Sequence, residues 1–199
     1  MLHIVTLVSR REPLLPVAES VHAAWERVQE RQDEFEWRLV YHQEKAGQPR
    51  TRYFPSIGFH RFDHVVSVPP DACGEPYLRT FVLGELTDGH ILWLDDDNLL
   101  HPEILEDLLP RIAAAPDSAF VYHQLDKSGA LRCRAQPDHM KVNRVDTAQV
   151  IAPRSLYGTH VFANVARGTD GMMYETLYRE SAARFVFLDR ALVYHNAAC

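Results

Sequence analysis

The stretch HILWLDDDNLLHPEIL, from His90 to Leu105, decides the fold. Its first five residues are mostly apolar and rich in bulky side chains, which suits a central strand. The run then breaks into Asp95, Asp96, Asp97 and Asn98. Pro102 opens a helix that carries Ile104, Leu105, Leu108, Leu109 and Ile112 on one face. A strand, an acidic loop and an amphipathic helix in that order form one unit of an open α/β sheet. Ligands of such sheets bind outside the carboxyl ends of the strands.

The same alternation extends outward from this unit. His3 to Val8 reads as a buried strand, followed by a helix with Val17, Val21, Ala24, Trp25 and Val28 at helical spacing. Trp37 to His42 and His64 to Val68 are further strands, separated by a polar, basic loop from Gln43 to Arg61. Pro76 to Thr87 suits a proline-started helix that ends at the Asp88-Gly89 turn. Beyond the central unit, Phe120 to Gln124 and Val145 to Ala152 read as strands, and Asp126 to Arg134 as a turn around Gly129. Asp170 to Ala183 reads as a helix, and two short strands, Phe185 to Leu188 and Ala191 to Tyr194, flank Asp189-Arg190. The order implies an α/β class fold: a Rossmann-like, mostly parallel sheet flanked by helices. No repeat or linker divides it, so residues 1–199 form a single domain.

Bulk properties narrow the function. The chain has 46% hydrophobic and 24% charged residues, an ordinary globular composition. A formal net charge of -6 repels phosphate backbones and sets a nucleic-acid role aside. Cys73, Cys133 and Cys199 are odd in number and far apart, which fits free thiols better than a disulfide framework. The start, MLHIVTLVSRR, has too short an apolar run for a secretory signal, and its basic residues follow the run. No membrane span is visible, so the expected location is cytoplasmic.

The three aspartates call for a chemical reason. Along a strand side chains alternate, so Asp95 and Asp97 share a face if strand geometry persists through them. Two carboxylates side by side repel unless a cation joins them. Hard oxygen ligands suit Mg2+ or Mn2+, which also accept substrate phosphate oxygens. The plainer alternative is a solvated acidic turn that caps the next helix.

In order and spacing, Asp95-x-Asp97-Asn98 followed by Pro102-Glu103-Ile104-Leu105 resembles the D-x-D segment of family 2 glycosyltransferases, which have the GT-A fold. The resemblance implies a GT-A-like catalytic domain, with residues 1–100 as the nucleotide-binding half and 101–199 as the acceptor half. It implies that Asp97 coordinates the metal, that Asp95 touches the metal or the ribose, and that Asp96 reaches the donor. Arg79 matches an arginine that lies near the sugar nucleotide. Thr6, Val8, Ser9 and Arg10 occupy the place where the family seats its base. The second strand departs from the family pattern: YHQEKAGQP offers only Glu44 where an acidic turn is usual, which leaves the nucleotide unnamed. GTDGMMYETLYRE, Gly168 to Glu180, resembles the acidic helix start that supplies the general base, and Asp170 is the matching residue. His195, after the last strand, matches a histidine that completes the metal shell or touches the donor phosphates. Each of these residues also has a structural alternative. Asp170 or Thr169 suits a helix N-cap, and His195 is one of 11 histidines.

The expected function is a metal-dependent glycosyltransferase using Mn2+ or Mg2+. It moves a sugar from a nucleoside diphosphate sugar to an acceptor hydroxyl, with inversion favoured over retention. Arg10, Arg11, Lys45, Arg50, Arg52 and Arg167 are candidate phosphate or lid contacts. A small-molecule or peptide acceptor suits so short a chain, and association into a homo-oligomer stays open. One rival is a nucleotidyltransferase that makes nucleotide sugars, although SRREPLLP lacks the glycines of its usual loop. Another is a non-catalytic nucleotide- or metal-binding protein of the same fold.

Overall fold

A computed structural model describes residues 1–8, 14–42, 61–165 and 167–195. In chain order the elements are β1 (Leu2–Val8), α1 (Leu15–Glu26), β2 (Phe35–His42), β3 (Arg61–Val66), α2 (Gly74–Glu85), β4 (His90–Trp93), β5 (Leu99–Leu100), α3 (Ile104–Ala114), β6 (Ala119–Asp126), β7 (Leu131–Cys133), β8 (Val150–Pro153), α4 (Arg154–Tyr157), α5 (Thr169–Ser181) and β9 (Phe185–His195). The strands form one 9-stranded sheet in the order β3-β2-β1-β4-β8-β6-β9-β5, with β7 paired to β6.

The first half of the sheet is parallel: β1 lies between β2 and β4, and β3 pairs with β2. Every residue of β1 and β4 is buried, as expected of strands covered on both faces. Their side chains alternate between two helical layers. Leu2, Ile4 and Leu92 join α1 and α3 through Val17, Val21, Ile104, Leu105 and Leu108. Val5, Leu7, Ile91 and Trp93 face the other way and join α2 and α5 through Leu78, Val82, Met173, Tyr174 and Leu177. Burial of each such aliphatic side chain stabilises the fold by about 1.5–3 kcal/mol.

The second half is mixed. β8 runs antiparallel to both β4 and β6, while β9 is parallel to β6. A parallel return needs a crossover of helical length. The chain instead leaves β6 through β7 and a run of irregular turns, so β8 enters from the opposite end.

Several boundaries differ from the sequence expectation. Val145 to Ala152 is a strand only from Val150; Thr147–Gln149 forms a buried 3-10 turn capped by Asp146, which accepts from the Ala148 amide at 3.0 Å. β-branched and apolar residues there serve burial rather than extension. Asp189-Arg190 does not break the last strand. β9 is continuous and absorbs the irregularity as register shifts opposite His123. Met172 is 43% exposed, because its neighbour Met173 takes the inward position on α5. No helix is long and apolar enough to cross a membrane among the described residues.

Candidate active site

The site is built around Arg79. This residue lies on the inner face of α2 beside Leu78 and Val82 and is 2% exposed. A guanidinium in such a place must be paired, and it is. Nη2 donates to Asp95 Oδ1 at 2.8 Å and Nη1 donates to Asp170 Oδ1 at 2.9 Å. A longer contact of 3.4 Å reaches the Thr147 hydroxyl. The Phe162 ring lies 5.7 Å from the guanidinium carbon, within cation–π range. Residues 79, 95 and 170 are far apart in sequence, and one planar cation joins them.

The supports of the two carboxylates are also joined. Asp95 follows β4 by two residues, so the strand's alternation does not run through the aspartates: β4 ends at Trp93, and Asp96 and Asp97 lie in a turn closed by the Asn98 amide on the Asp95 carbonyl at 3.0 Å. The Trp93 indole donates to the Tyr157 hydroxyl at 3.2 Å, and Tyr157 shares a 3.1 Å hydrogen bond with Tyr174. Tyr174 stands one helical turn beyond Asp170 on α5. A buried polar chain thus ties the strand that carries Asp95 to the helix that carries Asp170. The start of α5 is fixed further by Thr169, whose hydroxyl donates to the Ala163 carbonyl at 3.1 Å.

A third carboxylate joins this centre, and it was not singled out from the sequence. Asp146 accepts from Gln124 at 3.1 Å and from Arg132 at 2.8 Å. His195 Nδ1 lies 3.9 Å from its Oδ2. The signal for Asp146 was hidden because RVDTAQVIA reads as one apolar strand rather than a capped turn followed by a strand.

Negative charge exceeds positive charge here. Burial raises the pKa of Asp95, Arg79 opposes it, and Asp146, Asp170 and Glu75 raise it again, so the carboxyl stands well above its ordinary range. Asp170 is raised in the same way, by burial first, against the pull of Arg79. Arg79 is itself held charged by Asp95 and Asp170 against the cost of burial. A centre of this kind attracts a proton or a cation.

The other sequence candidates are placed as follows. Thr6 is fully buried and accepts from the Trp37 indole at 3.0 Å, so its hydroxyl is engaged inside the core. Val8 closes β1 and packs in the α1–α3 layer. Ser9, Arg10, Arg11, Glu44, Lys45, Arg50 and Arg52 lie outside the described residues. Asp96 is half-buried and Asp97 is 6% exposed. His195 ends β9 next to Asp146. Among the described residues no three His, Cys, Asp or Glu side chains are gathered as a ready metal cage. Mg2+ and its like need only one or two protein carboxylates when phosphate oxygens and water fill the shell. Asp95 and Asp97 are the carboxylates that could hold such an ion.

No family model matches the chain, and no curated protein matches it in sequence. Solved structures do match in shape. The chain resembles S. aureus TarS 1-349 with a TM-score of 0.70 at 14% identity, over 98% of this chain and 60% of that one. The same protein in complex with UDP gives a TM-score of 0.72 at 15% identity, over 97% and 59%. A putative glucose-1-phosphate thymidylyltransferase from Bacillus anthracis, in complex with a sucrose, gives 0.57 at 10% identity, over 99% and 90%. At these identities the likeness shows the fold, a GT-A-like α/β architecture. The chain spans about 60% of the TarS fragment.

Proposed function

We propose that this chain is a family 2 glycosyltransferase that moves a sugar from a nucleoside diphosphate sugar to an acceptor hydroxyl, with inversion and with Asp170 as general base. The observation that carries this reading is the Arg79 bridge, which places a carboxylate at the end of the central strand and a carboxylate at the start of α5 on one guanidinium. The TarS fragment, which shares the fold, has been solved with UDP-GlcNAc and with UDP.

The division of labour follows from position. Asp95 and Asp97 lie outside the carboxyl end of β4, where an open sheet receives its ligand. They would hold Mn2+ or Mg2+, which would in turn bind the donor diphosphate, and His195 at the end of β9 is the third candidate ligand. The cation, when bound, offsets the charge that develops on the departing diphosphate. Asp170 takes the proton of the acceptor hydroxyl as its oxygen attacks the anomeric carbon, and the bond from that carbon to the diphosphate oxygen breaks. Burial makes Asp170 a stronger base when ionised than an exposed aspartate. Arg79 keeps it ionised and aimed.

Calorimetric titration with UDP, with and without Mn2+, tests the reading. UDP binding that needs Mn2+ and weakens at least tenfold in Asp97→Ala is expected. Asp170→Asn is expected to bind UDP normally and to lose at least 100-fold in turnover of UDP-GlcNAc. UDP binding indifferent to both Mn2+ and Asp97 overturns the metal assignment. No UDP binding at all favours a non-catalytic protein or another nucleotide. The weaker likeness to a thymidylyltransferase supports a second reading, nucleotidyl transfer on the same frame.

A further inference from the structure

The run from Leu131 to Arg144 carries Arg132, Arg134, Lys141 and Arg144 against a single acidic residue, Asp138, in a chain whose net charge is -6. It leaves the carboxyl end of β6, the end that also presents Gln124 to Asp146. Cys133, Ala135 and Met140 anchor it by burial, as does Val145 just beyond it. Its four cations are exposed. Arg132 pairs with Asp146, but among the described residues no carboxylate pairs with Arg134, Lys141 or Arg144. Most described arginines elsewhere, such as Arg27, Arg31, Arg38, Arg111 and Arg190, have carboxylate partners.

This basic segment is clamped to the helix that bears Asp170. A Cβ at Gly171 would stand 2.5 Å from the Val142 Cα and 3.1 Å from the Asn143 amide nitrogen, so only glycine permits the approach. The Val142 amide also donates to Glu175 of α5 at 3.1 Å. Asn143 takes a positive φ of 65° to make the turn. Lys141 and Arg144, both exposed, adjoin Val142 and Asn143 in the chain. Arg167, also exposed, adjoins Gly168, where a Cβ would stand 3.4 Å from Val142 Cγ1. Three exposed cations, with no carboxylate partner among the described residues, thus sit on the two segments that meet at the start of the helix whose second residue is the candidate base.

We propose that Lys141, Arg144 and Arg167 form an anion subsite for the acceptor, and that the acceptor is polyanionic, carrying phosphate or carboxylate groups near the hydroxyl presented to Asp170. The inference rests on the glycosyltransferase reading for the word acceptor, but anion binding is measurable without it. The donor diphosphate is assigned to the acidic end of β4; these cations belong to the segments that meet at the start of α5. Arginine forks and a lysine point charge suit phosphate and carboxylate oxygens alike.

The test is fluorescence titration of the full chain with linear inorganic polyphosphate and with polyglutamate at about 0.1 M salt, beside UDP titration. The variant Lys141→Gln/Arg144→Gln is compared with Lys127→Gln/Arg179→Gln, which removes the same charge from exposed sites elsewhere. At least one polyanion is expected to bind the unsubstituted chain, at least tenfold more weakly to the first variant, and within twofold of normal to the second. The tighter of the two polyanions names the acceptor's anion. UDP affinity is expected to stay within twofold in both variants. Absence of polyanion binding, or equal weakening in both variants, overturns the subsite. Parallel loss of UDP affinity in the first variant reassigns the cations to the donor and overturns the acceptor assignment. If the unsubstituted chain binds polyanion but none of UDP, GDP, CMP and TDP, it is the glycosyltransferase reading that fails.

Discussion

At the scale of single residues, Arg79 is the side chain on which most depends. It is one positive charge shared by Asp95 and Asp170, with Asp146 close enough to be felt by both. Removing one member of a buried pair is costly because the partner charge is left uncompensated, typically by about 3–5 kcal/mol. Here Asp95 and Asp170 keep 31% and 27% side-chain exposure, so water screens part of the loss and about 2–3 kcal/mol is the reasonable figure. The penalty has a pH sign. Without the guanidinium the folded carboxyls have still higher pKa values. Such groups stabilise the folded state below their unfolded value, and that stability is lost as pH rises through the folded value. Arg79→Met is therefore expected to destabilise more at pH 8 than at pH 5, read by urea unfolding at the two pH values. An equal loss at both would mean that the residue acts only as packing against Phe162. Arg79→Lys keeps the charge but not the two-armed reach, and should lie between the two.

At the scale of elements, α3, β6 and β9 are joined by one carboxylate. Asp107 on α3 accepts from Tyr122 of β6 at 2.7 Å and from Arg111 at 2.9 Å, and it is paired with Arg190 of β9. Arg190 also reaches Glu103 at 2.7 Å. Burial pushes the Asp107 carboxyl up, but the bonds from Arg111 and Tyr122, with that from Arg190, outweigh it and hold it at about 2. A depressed folded value means stability that is present above the unfolded carboxyl range and is lost as pH falls toward 2. Asp107→Asn is expected to cost about 1–2 kcal/mol at pH 7 and almost nothing near pH 2, with both proteins compared by denaturant unfolding. A variant cost that is the same at both pH values would show that the network owes nothing to the charge. This network also explains a misreading. Asp189-Arg190 has the polarity of a turn, yet the strand runs through because Arg190 has carboxylates waiting on α3. Periodicity reports which residues face water or core, and it cannot report a partner some eighty residues away. The long, regular elements were legible for the same reason: β1, β4, α1, α3 and α5 carry their burial pattern in consecutive residues. β5, with two residues, and the capped turn at Asp146 carry none. Of the site, Asp95, Arg79 and Asp170 were readable through the motif around them. Asp146 and Gln124 enter through tertiary contacts alone.

At the scale of the whole molecule, the fold by itself admits two chemistries, since its structural likenesses include a thymidylyltransferase as well as TarS. They differ in which atom is attacked. Glycosyl transfer strikes the anomeric carbon and releases the nucleoside diphosphate whole. Nucleotidyl transfer strikes the α-phosphorus and exchanges pyrophosphate. Our proposal is the first. The candidate base stands on α5, across Arg79 from the acidic end of β4, where it can serve an acceptor hydroxyl. The stretch after β1, SRREPLLP, has no glycine with which a backbone could wrap a triphosphate. The expected outcome is that UDP-GlcNAc incubated with Mn2+ and a panel of hydroxyl acceptors yields UDP, followed by phosphorus NMR. Added pyrophosphate should yield no UTP. Release of UDP should fall at least 100-fold in Asp170→Asn, because removal of a base that acts in the bond-making step leaves only background transfer. UTP formed on addition of pyrophosphate, undiminished in Asp170→Asn, would place the reaction at phosphorus. It would also leave Asp170 as no more than the partner that keeps Arg79 in place.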